Sequence, residues 1–180
     1  MAHISSLGAG IFTYLDIFKG TIPASTDTVA ECAALFVGTV DGTADADHLR
    51  MPSVREFPSI GTPANIVNVP VYGQKTSSQV QGQADAPTLE VTVNYVADDM
   101  SVIHNLVGND CVFRFMMASQ AVTENEGASA TLAVNNTEFY FLGKIEAILV
   151  NPALTDATTA TVTLSAQSDF FGPATLAARD

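Results

Sequence analysis

Residues 138–150 read E-F-Y-F-L-G-K-I-E-A-I-L-V. Phe139, Phe141, Gly143, Ile145, Ala147 and Leu149 fall on one face at period two. Glu138, Tyr140, Lys144 and Glu146 fall on the other. Strict alternation over this length predicts a long β-strand with one buried face. Asn151-Pro152 ends it, because proline cannot continue a ladder. A second alternating run follows at 161–167, with Val162, Leu164 and Ala166 opposite Thr161, Thr163, Ser165 and Gln167. Two such runs joined by a short polar link predict an antiparallel hairpin.

Working outward, the same period recurs. Leu89, Val91, Val93 and Tyr95 face one way and Glu90, Thr92 and Asn94 the other, a half-exposed strand. From 10 to 18, Ile11, Thr13, Leu15 and Ile17 alternate with Phe12, Tyr14, Asp16 and Phe18, so both faces are largely apolar and covered. A strand around Arg114 is expected over 111–118, and a short β-rich run over 33–40 before the Asp41-Gly42 turn. Val67, Val69 and Val71 alternate around Pro70, which marks an edge. The polar stretch 73–87 pairs weakly or forms a loop. One helix is expected after Tyr95: Asp98 as N-cap, Asp99 in the first turn, Gly108 at the C-terminal end, and Val102, Ile103, Leu106 and Val107 as its apolar stripe. Segment 41–64 has acids, three prolines and no period, and is expected to protrude as a long loop. Residues 120–136 read as a hairpin connection and 168–180 as a C-terminal arm. The sum is one domain over 1–180: an all-β sandwich or barrel with one short α-helix, a long inter-strand loop and terminal arms.

Composition narrows the function. Lys plus Arg is 7 and Asp plus Glu is 19, giving a net charge of −12, and only 14% of residues are charged. Such a chain cannot neutralise phosphates and is a poor nucleic-acid binder. With 47% hydrophobic residues it is not a disordered acidic chain. No apolar run approaches the roughly 18 residues that span a bilayer. Low charge density suggests a surface largely covered by partners. Cys32 and Cys111 do not make a disulfide framework. Met1–Gly10 lacks the pattern of a secretion signal, so a reducing cytoplasm is expected and the Asn135-Asn136-Thr137 sequon is read as chance.

Candidate chemistry is thin. His48 lies near Asp45 and Asp47, but a solvated charged turn is the ordinary reading, and no metal site is assigned. His104 sits within the expected helix and His3 near the start. Cys111 opens an apolar strand and reads as core. Glu124 and Glu126 lie in a polar loop, where two acids do not split their pKa values as acid–base catalysis requires. No nucleophile elbow or phosphate loop is present. No catalytic residue and no cofactor is assigned, and the chain is not expected to be an enzyme. A proline-marked edge, a patternless arm and a weakly charged surface favour assembly.

The order of these segments resembles the tail tube proteins of long-tailed bacteriophages. The resemblance lies in Val69-Pro-Val-Tyr-Gly-Gln, Gln79-Val-Gln-Gly-Gln and Asn94-Tyr-Val-Ala-Asp-Asp ahead of the helix. Phe141-Leu-Gly-Lys-Ile-Glu-Ala-Ile and Thr161-Val-Thr-Leu-Ser complete it, so that it spans roughly 10–167. It implies hexameric rings stacked into a hollow tube, an inner β-barrel shared by subunits, and a loop and arms reaching adjacent rings. It implies a virion tail component assembled in the host cytoplasm, with itself, a tape measure protein and a tail terminator as partners. DNA would pass without specific binding, and no membrane is involved. Lumen candidates are then Glu90, Thr92, Asn94, Glu138 and Glu146, with Thr161, Thr163 and Ser165 beside them and Lys144 partly offsetting the acids. Inter-ring loop candidates are Asp45, Asp47, Arg50, Arg55 and Glu56. The alternative is a capsid decoration protein or another β-sandwich virion or binding module.

Overall fold

The computed structural model describes residues 12–24, 26–36, 47–61, 66–73, 75–76, 78–81, 87–118 and 137–175. The elements run β1 (Thr13–Phe18), α1 (Val29–Leu35), β2 (His48–Arg50), β3 (Val54–Glu56), β4 (Ile66–Val69), β5 (Ser78–Gln81), β6 (Thr88–Asn94), α2 (Ala97–His104), β7 (Asp110–Met117), β8 (Thr137–Asn151), β9 (Thr159–Ala166) and β10 (Phe171–Thr175). The main sheet is antiparallel in the order β2-β1-β7-β8-β9-β6-β3, with β10 also on β8; β4 and β5 form a separate two-stranded sheet.

The sheet must curl, and its connectivity says why. β2 and β3 sit at opposite ends of the order, yet only Met51, Pro52 and Ser53 separate them. Four Cα–Cα steps reach at most about 15 Å, whereas seven flat strands would span about 29 Å. The link stitches both edges: the Met51 N–H donates to the Leu15 carbonyl at 2.8 Å, and the Asn94 N–H donates to the Ser53 carbonyl at 2.9 Å. Phe57 closes the seam edge-on against Phe115 at 5.4 Å.

The inner face is the main core. Leu15 and Ile17 of β1, Val91 and Val93 of β6, Phe113 of β7, Phe141 of β8 and Val162 and Leu164 of β9 converge there, with Met100 and Ile103 of α2 and Leu106 just beyond it. Phe113 and Phe141 stack at 4.9 Å. Gly143 is required in β8, because a Cβ there would collide with the Ser165 carbonyl oxygen of β9.

Several expectations change. Segment 33–40 is not a strand where it is described: α1 takes Val29–Leu35, started by a reciprocal capping box between Thr28 and Glu31. There are therefore two helices among the described residues. In α2 the N-cap is Val96, with Asp98 and Asp99 both in the first turn, and the helix ends at His104. Gly108, with φ 82°, serves the turn beyond it. The buried side is Met100, Ile103 and Leu106, while Val102 and Val107 are exposed. Segment 41–64 does not simply protrude: its described part, 47–61, supplies β2 and β3 to the two sheet edges. Residues 171–175 of the expected arm pair as β10 with β8. The strict alternation of β8 breaks at Glu146, where the register against β9 shifts. Beyond that bulge Ile148 turns inward, and Ala147 and Leu149 join the outer face.

Candidate assembly surface

The outer face of the sheet divides into a covered and an uncovered half. Over β1, β7 and the first part of β8, Cys32, Ala33 and Phe36, from α1 and its C-terminal end, pack on Phe18, Val112 and Tyr140, with Phe171 and Ala174 of β10 alongside. Beneath this cover runs a row of directly opposed side chains: Arg50 of β2, Asp16 of β1, Arg114 of β7 and Tyr140 of β8. Arg50 Nε donates to Asp16 Oδ1 at 2.8 Å, and Arg114 Nη2 donates to Asp16 Oδ2 at 2.5 Å. Glu138 follows, with its Oε1 3.8 Å from Arg114 Nη1 and its Oε2 accepting from the Tyr140 hydroxyl. Arg50 lies 4.2 Å from the Tyr14 ring centroid and Arg114 lies 4.8 Å from that of Phe36. Burial alone would lower the Arg114 pKa, but the Asp16 and Glu138 carboxylates outweigh it and hold the guanidinium firmly charged. Two cations and two carboxylates balance, which is how so much charge is tolerated under a helix.

The uncovered half is β6, β9 and the distal part of β8. Glu90 opposes Thr163, Thr92 opposes Thr161, and Asn94 opposes Thr159. The Ser165 hydroxyl donates to Glu146 Oε1 at 2.5 Å. Lys144 pairs with Asp110 at 3.3 Å. The result is a mainly polar face of hydroxyls, amides and acids, with no aromatic side chain from β6 or β9 on it, interrupted on distal β8 by Ala147 and the exposed Leu149.

Of the lumen candidates, Glu90, Thr92, Asn94 and Glu146 therefore share one face with Thr161, Thr163 and Ser165. Glu138 does not join them. It is 4% exposed: β10 flanks it in the sheet, and its carboxylate is turned into the Arg114–Tyr140 row that lies under α1. Of the loop candidates, Arg55 and Glu56 are exposed on β3, and Arg55 meets Asp156 at 3.5 Å. Arg50 is instead held by Asp16 within the sheet. Asp47 sits just before β2, and its carbonyl accepts from the Lys19 N–H at 2.9 Å. Asp45 lies outside the described residues, as do His3, Glu124 and Glu126. His48 is not in a solvated turn: its Nε2 is 2.5 Å from the Leu35 carbonyl, and the ring stacks on Phe36 at 5.4 Å. His104 is exposed in the last turn of α2.

The Asp16–Arg114 network is the feature that sequence reasoning missed. Its signal was present as one acid in β1 and one Arg in β7 amid apolar neighbours, but pairing needs the strand order. Cys32 and Cys111 are free and buried. Among the described residues no three His, Cys, Asp or Glu side chains converge as metal ligands. A cleft of about 350 Å³ at the seam, beside Tyr14, Arg50 and Phe57, carries one charged side chain, Arg50, already engaged by Asp16. No helix of the described residues is long and apolar enough to cross a membrane.

No protein family and no curated protein matches the chain by sequence. Among solved structures the chain is similar to the SPP1 tail tube determined by solid-state NMR and cryo-electron microscopy. The TM-score is 0.56 at 10% identity, over 95% of this chain and 81% of that one. The likeness is one of fold.

Proposed function

We propose that this chain is a structural subunit of a phage tail, self-assembling into stacked rings, hexameric by the resemblance, that enclose a channel for DNA. The observation that carries the reading is the shared fold with the SPP1 tail tube along nearly the whole chain. The divided outer face supports it: one half is sealed by α1, and the other is left open, mainly polar and acidic. A conduit wall should neither bind phosphate nor stack bases. Glu90, Thr92, Asn94 and Glu146 meet that need, and we assign them to the lumen. Arg55, Glu56 and Asp47 face adjacent rings. The tape measure protein and the tail terminator are the further partners, assembly takes place in the host cytoplasm, and the chain performs no catalysis.

Sedimentation velocity over a concentration series tests the reading. Large species should grow with concentration. They should grow further between 20 and 300 mM salt, as the Debye length drops to roughly 6 Å and the mutual repulsion of acidic subunits is screened. A strict monomer throughout would overturn it.

A further inference from the structure

The hairpin β4–β5 is unusual for a piece of a folded domain. It hydrogen-bonds as its own sheet, and Val69, Val71, Tyr72 and Val80 are exposed. A two-stranded hairpin alone is marginal in water, so it needs another surface. A second feature is left open in the body. β7 pairs with β8 only as far as Lys144, and a single bridge from Val107 extends this to Ile145. From 147 to 151 the β7-side edge of β8 has no strand partner among the described residues, while Leu149 and Val150 are exposed.

Proteins blunt open edges with charge or proline. Most edges here are blunted: Arg50 on β2, Arg55 and Glu56 on β3, Glu90 on the free part of β6, Pro173 in β10, and Pro70 directly after β4. Three edge segments long enough to add a strand hold no charge or proline within them: β4, read I-V-N-V and followed by Pro70, residues 147–151, read A-I-L-V-N and followed by Pro152, and β5, read S-Q-V-Q, which has no proline beside it. β5 is thus the less guarded edge of the hairpin, and 147–151 the uncharged edge of the body. These two are free of charge in a chain of net −12, so they are places where two copies approach without repulsion. We propose that β5 of one copy adds as a strand to the open edge of β8, at 147–151, in a second copy. The contact is heterologous, so each subunit offers one donor and one acceptor, and the pairing propagates from copy to copy.

The inference rests on the self-assembly reading above and names its contact. Two single-cysteine variants test it, Gln79→Cys and Leu149→Cys; the native thiols are buried and do not compete. Mixed and oxidised, the two should give a cross-linked dimer that neither gives alone. Val80→Lys and Leu149→Lys, both at exposed positions, should keep the monomer's circular dichroism and weaken association by roughly tenfold or more. If the wild type assembles while both Lys variants assemble equally well and the mixture fails to cross-link, this contact is wrong and the assembly reading stands. If the wild type never assembles, both fall.

Discussion

At the scale of single residues, Arg114 is the most exacting position. It lies in the middle of a buried row and touches two carboxylates, so its removal strands Asp16 and Glu138 without that guanidinium. Breaking a buried pair from one side costs about 3–5 kcal/mol. Arg114→Met should therefore lower unfolding free energy by about that much in urea titration, and a loss under about 1 kcal/mol would mean the row is solvated. The two thiols make a second prediction. Burial, aided by Glu31 beside Cys32 and by Asp110 beside Cys111, raises both from 9.0 to about 11. The folded chain thus holds these protons more tightly than the unfolded one. That contribution is complete below about pH 9 and disappears as pH rises toward 11. Urea midpoints measured across this window should fall more steeply for the wild type than for a Cys32→Ala/Cys111→Ala variant.

At the scale of elements, α1 depends on its start. The Thr28 hydroxyl accepts from the Glu31 N–H, and the Glu31 carboxylate reaches back to the Thr28 N–H at 3.0 Å; the Thr28 hydroxyl, foremost, holds the Glu31 pKa low. Thr28→Ala should cost about 1 kcal/mol, and hydrogen exchange should show the loss concentrated in 29–36. Uniform weakening of the sheet instead would mean that α1 does not stand apart as a unit. These elements also show where a sequence is readable. Strands β1, β6, β8 and β9 carry period two because one face of each meets the same core, so their existence and inward residues can be read directly. The capping box Thr28-x-x-Glu31 was equally local, yet the β-rich residues after it drew the reading toward a strand. The bulge at Glu146 leaves no local mark, since A-I-L-V fits either face. β2 and β3 are three-residue strands whose structure comes from the edges they join, not from any pattern of their own. The open polar face was legible except at Glu138, whose burial depends on β10 and on the Arg114–Tyr140 row under α1, brought together from far along the chain.

At the scale of the whole molecule, one curled sheet serves two purposes. Its inner face and α2 form the core that keeps the subunit folded. Its outer face is half sealed by α1 over a balanced ion row and half left mainly polar, the half that the proposed conduit would turn to its channel. Charge is scarce, and the buried row of Arg50, Asp16, Arg114 and Glu138 is balanced, so the exposed acids set the charge that the surface presents. Cryo-electron microscopy of the assembled protein tests this most directly. The account predicts hollow filaments whose channel wall is formed by β6, β9 and the distal part of β8, with Glu90, Thr92 and Glu146 facing the lumen. Solid fibres, closed shells, or a channel lined by α1 would contradict it.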